Sequence, residues 1–232
     1  MIVPIRQPVV ANPTQPLQSQ RVLVVTAVAQ EKEAVLRGLG GSPRFDVLAG
    51  GVGPAAAAAS TAAALTKSAY GLVVAAGIGG GFAGRAEVGS LVVASEIVAA
   101  DLGAESAEGF LSLDALGLGS TRISVDAQLG TRVTEALRQA GLSVCYGPVL
   151  TLSTVTGTQA TAEELAQRVP GAAAEAMEGY GVAVAARAHG LPILEIRAIS
   201  NRVGPRDRAA WRISEAFAVL EAASAVLLEV FS

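Results

Sequence analysis

The sequence predicts one α/β domain with a central mixed, mostly parallel sheet flanked by helices. Three observations lead there. Short apolar, β-branched runs alternate along the chain with helix-forming segments, the element order that builds a parallel sheet. Those runs are continuous rather than alternating, as strands covered on both faces are. Polar and glycine residues gather just after the runs, at Glu31, at two glycine clusters, and at Asp101, Glu178 and Asn201. In open α/β sheets ligands bind outside the carboxyl ends of the strands, so several separate segments point at one mouth.

Residues 22–26 (VLVVT) form the first buried strand, and Glu31 to Leu39 the helix after it, with Glu31 and Glu33 in its first turn. A short strand, Phe45 to Leu48, runs into Gly50-Gly51-Val52-Gly53-Pro54. Pro54 suits the first turn of a helix, and Ala55 to Leu65 is almost pure helix former. Leu72 to Ala76 is a strand entering the loop Gly77-Ile78-Gly79-Gly80-Gly81, and Ser90 to Ala100 a long strand broken at Asp101. Leu129 to Ala140 is a helix stopped by Gly141. Val149 to Thr156 is a strand, and Thr161 to Arg168 a helix with Thr161 as its cap. Ala173 to Met177 is short and extended and precedes a helix from Gly179 to His189. Pro192 to Ile199 is a buried strand ending at Ser200-Asn201, and Ile213 to Phe231 the closing helix. No internal repeat and no second domain is apparent.

The 232 residues suit one compact domain, and 51% hydrophobic content permits a large core. Residues 1–20 differ: four prolines and no continuous apolar block mark a flexible extension rather than a secretory signal. The folded domain is therefore expected to span residues 21–232. No apolar run approaches the roughly 20 residues needed to cross a bilayer. A net charge of -3 and a pI near 5.3 give no footprint for nucleic acid or an anionic membrane. A cytoplasmic enzyme without metal or cofactor is the expectation. Cys145 has neither metal-ligand spacing nor a catalytic partner and is expected as a small core residue. His189, just before Gly190 and Pro192, is expected at a helix end.

Four places can carry chemistry, and each has a plainer explanation. The glycine clusters fit neither a dinucleotide-binding fingerprint nor a phosphate loop. They are tight turns, or places where backbone N–H groups approach a flat ligand. Glu31 is either a carboxylate favoured at a helix N-terminus or a residue of a binding or reaction site. Glu178, between a short apolar strand and an Ala/Val-rich helix, has fewer structural reasons to be there. Asn201 is a turn or cap residue, or a ligand contact at a strand end.

The segments Ala174-Glu175-Ala176-Met177-Glu178-Gly179 and Ile196-Arg197-Ala198-Ile199-Ser200-Asn201 resemble the paired signatures of the nucleoside phosphorylase/nucleosidase family. The likeness runs from Val22 to the C-terminus and includes Gly51-Val52-Gly53, the Gly77 loop and Val88-Gly89-Ser90-Leu91-Val92-Val93. The pattern is nearest to the methylthioadenosine/adenosylhomocysteine nucleosidases and the futalosine hydrolases. The resemblance implies a nucleoside phosphorylase-like fold, a purine nucleoside as the small-molecule substrate, and at least a homodimer. Residue by residue, it implies that Glu31 activates water, with Glu33 the poorer register. Glu178 would hold the ribose hydroxyls and Met177 would pack on the sugar. Val155 and Thr156 would contact the base, and Gly79 and Gly80 would lie beside base and sugar.

Two departures narrow the reaction. Phosphorylases of this family carry an arginine in the loop after the first strand, whereas Ala27-Val28-Ala29-Gln30-Glu31 carries a carboxylate, which repels phosphate and suits water. Adenine-specific nucleosidases carry aspartate where Asn201 stands. An amide NH₂ donates to N7 and O6 of a 6-oxopurine, where a carboxylate would set two acceptors against each other. The implied reaction is hydrolysis of futalosine to hypoxanthine and the dehypoxanthinylated sugar, a step of menaquinone synthesis. Arg202, Arg206 and Arg208 are candidates for the substrate's benzoate. The alternatives are an adenine nucleosidase with an unusual Asn201, a purine nucleoside phosphorylase, and a silent nucleoside-binding protein.

Overall fold

The structure, a computed structural model, describes residues 20–231; the expected N-terminal extension lies, but for residue 20, outside the described residues. The predicted α/β architecture holds. Strand β1 (Val22–Thr26) lies between two parallel neighbours, β2 (Phe45–Ala49) and β3 (Leu72–Gly81). Beyond β1, the long β3 pairs in parallel with β10 (Ile193–Arg202). The sheet continues from β10 to β4 (Leu91–Ala99), antiparallel, then to β8 (Val144–Thr151) and β9 (Ala174–Ala176), both parallel. β9 then returns antiparallel to the end of β3, Gly80 facing Glu175. The path β3–β10–β4–β8–β9–β3 is thus a closed ring from which β1 and β2 extend, and β7 (Arg122–Ser124) adds to β4.

Apolar side chains fill both sides of these strands. Leu23, Val73, Val92, Leu194 and Ile196 are all buried. Helix α1 (Ala29–Gly38) packs on α7 (Ile213–Phe231), and α2 (Pro54–Leu65) packs on α6 (Gly179–Ala188). A smaller core of Phe82, Leu150, Leu165 and Val203 sits under α5 (Gln159–Arg168). Helix α4 (Ala127–Gln139) is capped by Asp126, whose carboxylate accepts the Leu129 N–H at 2.8 Å.

Several expectations need correction. Gly77 to Gly81 is no loop but the second half of β3, and none of these glycines has a positive φ. β10 and β9 supply ladder partners right up to Gly81, so the backbone has no reason to turn. The strand expected over 149–156 runs over 144–151 instead. Gly147-Pro148 resembles a break, but a register shift against β4 between Ala94 and Ile97 accommodates the N–H that proline lacks. The cap of α5 is Thr158, whose hydroxyl accepts the Thr161 N–H at 3.1 Å, and not Thr161 itself. Cys145 packs against the core but is only partly buried. His189 is the C-cap of α6, as expected, its Nδ1 3.0 Å from the Ala185 carbonyl oxygen. A hairpin, β5 (Gly103–Ser106) and β6 (Gly109–Ser112), and the short α3 (Leu113–Leu116) are not foreseen from the sequence, because each is four residues long and neither strand, GAES nor GFLS, carries a β-branched run.

Candidate active site

Glu31 sits in the first turn of α1, 3% exposed, and its carboxylate bends back over the β1–α1 turn. Oε2 accepts the N–H groups of Ala27 (2.8 Å) and Val28 (3.2 Å), and Oε1 accepts the N–H of Ile78 on β3 (2.8 Å). The carboxylate therefore satisfies backbone donors at the N-terminus of its own helix, as the plainer explanation requires. It also reaches across to the glycine-rich strand. A Cβ on Gly77 would lie 2.6 Å from Glu31 Oε1 and 2.8 Å from Arg197 Nη1, so glycine there makes room for both charged groups. Burial raises the Glu31 carboxyl above its ordinary range; Arg197 and the Ile78 and Ala27 amides pull it down, but less.

Glu178 directly precedes α6. Its Oε1 accepts the Gly53 N–H at 3.2 Å, and its Oε2 faces Arg197 Nη1 at 3.3 Å. Gly53 is the N-cap of α2 with φ 91°, a backbone conformation that favours glycine, so the glycine cluster before α2 has a local reason as well as a contact. Arg197, fully buried on β10, is the hub. Its Nη1 also lies 3.5 Å from the Ile78 carbonyl oxygen, and its Nε donates to Glu195 Oε1 at 2.8 Å. Burial works against the guanidinium charge, but the Glu195 carboxyl, which accepts its Nε–H, and the Glu178 and Glu31 carboxylates outweigh it and hold Arg197 more firmly protonated than usual.

Asn201 ends β10 in register with Gly80. Its Nδ2 donates to the Arg202 carbonyl oxygen at 3.0 Å, and its Oδ1 lies 2.9 Å from Ser200 Oγ. A backbone carbonyl only accepts, so the amide atom facing Arg202 must be the NH₂. That fixes which end is which and leaves one N–H for a ligand. Gly79 and Gly80 are buried in β3, and Met177 is half-buried beside Glu178. Val155 and Thr156 lie on the loop after β8, and a buried carboxylate fastens that loop. Glu175 on β9 accepts the Thr156 N–H at 2.8 Å and also the Thr156 hydroxyl. Asp101 holds the same loop through the Ser153 N–H at 2.6 Å.

The structure thus brings Glu31, Glu178 and the first part of the glycine strand together around Arg197, with Asn201 and Gly80 farther along β3 and β10. A cavity of about 640 Å³ meets this set only at Asn201. Its other walls include Phe82, Arg85, Arg202, Val203 and Trp211, and neither Glu31 nor Glu178 belongs to it. Of the three arginines, Arg202 lines that cavity, while Arg206 and Arg208 lie over the Trp211 ring at 5.7 and 6.0 Å. Sequence reasoning assigned no role to Arg197, Glu195 or Glu175. The signal was present: Glu195 and Arg197, two residues apart on one face of the otherwise apolar strand ILEIRAIS, are hydrogen-bonded partners in a strand covered on both sides.

The sequence profile of the phosphorylase superfamily matches residues 18–231. The chain is 54% identical to the futalosine hydrolase of Streptomyces coelicolor over 219 residues, covering 86% of this chain and 91% of that one. It is 48% identical to the futalosine hydrolase of Acidothermus cellulolyticus over 222 residues, covering 90% and 91%. Among solved structures, the fold matches a 5′-methylthioadenosine/S-adenosylhomocysteine nucleosidase from Neisseria meningitidis in complex with methylthio-immucillin-A. That match has a TM-score of 0.76 at 20% identity, over 90% of this chain and 97% of that one. With profile, relatives and fold in agreement over nearly its whole length, the chain belongs to the phosphorylase superfamily.

Proposed function

We propose that this chain is an N-glycosyl hydrolase that cleaves futalosine, releasing hypoxanthine and leaving the dehypoxanthinylated sugar, in the cytoplasmic synthesis of menaquinone. The observation that carries the hydrolytic reading is Glu31: a buried carboxylate, held by three backbone N–H groups, in the loop where a phosphorylase needs a cation. The substrate rests on the two close relatives, both futalosine hydrolases.

In this reading Glu31 orients water and takes its proton as the water attacks the anomeric carbon. Glu178 accepts from the vicinal ribose hydroxyls, and Met177 packs on the sugar, which fixes the sugar for attack. Val155 and Thr156 flank the base, and Gly79 and Gly80 leave room for it. The free N–H of Asn201 stabilises negative charge building on the departing purine. Arg202, on a cavity wall beside Asn201, is the arginine of the three best placed to meet a substrate carboxylate. A homodimer or larger homo-oligomer is supported by the part-exposed leucines Leu102, Leu111, Leu116 and Leu118, all around the β5–β6 hairpin and α3.

The test is base release by the pure protein from futalosine, aminofutalosine, inosine and methylthioadenosine. Futalosine should be cleaved fastest. Faster release of adenine from methylthioadenosine would transfer the chain to the adenine nucleosidases.

A further inference from the structure

Inside this protein two carboxyl groups meet one guanidinium, and a third lies within its field. Glu31 comes from α1, Glu178 precedes α6, and Glu195 and Arg197 stand on one face of β10. A general base must be ionised, and Glu31 does its work only if the field of Arg197 remains available to it. The geometry separates Glu195 from the other two. It is 0% exposed, and its Oε1 receives Arg197 Nε at 2.8 Å, but its Oε2 is buried with no hydrogen-bond partner. Each oxygen of Glu31 accepts at least one N–H, and each oxygen of Glu178 meets a donor. The Glu195 carboxyl also packs against Gly179, where any Cβ would collide with it. It is therefore fixed in place under the start of α6, next to Glu178.

An ionised carboxylate spreads its charge over both oxygens. With no donor facing Oε2, half of that charge would lie unsolvated in the core, beside the Glu178 carboxylate. A neutral acid avoids this and still accepts Nε–H through Oε1. Burial, with Glu178 adding to it, raises the Glu195 carboxyl against the pull of Arg197, in the same direction.

We propose that Glu195 is a neutral carboxylic acid in the working protein and a positioning residue. It anchors Arg197 by Nε without drawing off the guanidinium charge, which is left to Glu178 and, past Ile78, to Glu31. This assignment rests on Glu31 as the water-activating carboxylate. It also explains why the residue after Glu178 is glycine: the anchor occupies the space of a side chain.

The test compares the wild type with Glu195→Gln and Glu195→Val during futalosine hydrolysis. The amide is isosteric with a neutral acid, so E195Q should keep kcat within about 2-fold and keep the acid limb of the kcat/KM pH profile in place. E195V leaves Nε without an acceptor and should lose on the order of 10-fold or more in kcat. In the infrared spectrum at neutral pH, the wild type should show a carboxylic acid C=O band that vanishes in E195Q and persists in E31Q. An acid limb displaced to lower pH in E195Q would mean that an anion had been removed beside Arg197, and would overturn the proposal. So would the absence of that band from the wild type, which needs no variant to fold, or wild-type turnover in E195V. Full activity of E31Q would instead overturn the functional reading and leave the protonation of Glu195 standing on the spectrum.

Discussion

Glu31 has two jobs that pull its chemistry in opposite directions. Its three N–H donors stabilise the ionised form, and burial stabilises the neutral one. Burial wins, so the carboxyl titrates above its ordinary value of 4.5. A base works only when ionised; kcat/KM should therefore fall with decreasing pH along a limb lying above the usual glutamate range, measured as a pH–rate profile. Glu31→Gln should bind substrate nearly normally and lose on the order of 10²-fold in kcat. Near-normal turnover in that variant would move the role elsewhere.

Asn201 argues at the same scale. Its NH₂ must face the Arg202 carbonyl, which only accepts. An aspartate oxygen placed there would oppose that carbonyl as well as O6 of a 6-oxopurine, and an unpaired buried polar group costs about 1–3 kcal/mol. Asn201→Asp should therefore slow futalosine cleavage by roughly 5- to 150-fold if the cost is felt fully in the transition state. The loss should be smaller on aminofutalosine, which keeps the same sugar and tail. Equal losses on both substrates would remove Asn201 as the selector of the base.

Among the elements, β3 and the start of α6 depend most on missing side chains. Gly77→Ala would put a methyl group within 2.8 Å of both Glu31 Oε1 and Arg197 Nη1. That change should lower kcat far more than it lowers the unfolding temperature, because the first things displaced are the two charged groups. Gly179→Ala drives its Cβ into the buried Glu195 carboxyl and should cost stability too, visible as a lower urea midpoint. The contrast between the two variants separates site from scaffold. These two positions also mark where the sequence was hard to read. The doubly buried strands were legible because apolar runs with no period have few other uses. From the sequence Gly77 to Gly81 reads as a loop, because glycine's usual meaning in a strand is a turn or bulge. Here its meaning is room, and that depends on Glu31 and Arg197, which lie far away in sequence. The true extent of β8 was hidden for a similar reason: Pro148 is tolerated only because a register shift on β4 meets it.

At the scale of the molecule, the candidate site residues come from segments far apart in the chain that follow β1, β8 and β9 or lie in the second halves of β3 and β10. The ordered glutamates and the asparagine marked these segments. What the sequence left hidden is the set of buried ions between them, since a charge inside an apolar strand gives no sign of its partner until the fold supplies one. That set makes a prediction for stability. Burial raises the carboxyls of Glu31, Glu175 and Glu195 in the folded state. Such groups contribute stability that is fully present below their unfolded value of 4.5 and is lost as pH rises through the folded value. Asp114 acts oppositely. Hydrogen bonds from the Thr121 hydroxyl and N–H hold it at about 2, so its contribution is lost only as pH falls toward that value. The urea midpoint should therefore be higher at about pH 5.5 than at about pH 8. The reverse order would mean that the buried carboxyls are not the dominant titrating groups.

The central claim is that water, activated by Glu31, attacks the sugar of futalosine. It is tested most directly by running the reaction in oxygen-18 water, with and without inorganic phosphate, and analysing the products by mass spectrometry. The account predicts free hypoxanthine, a sugar carrying the label at its anomeric oxygen, and a rate indifferent to phosphate. A sugar 1-phosphate formed in proportion to phosphate, with no label from water, would contradict it.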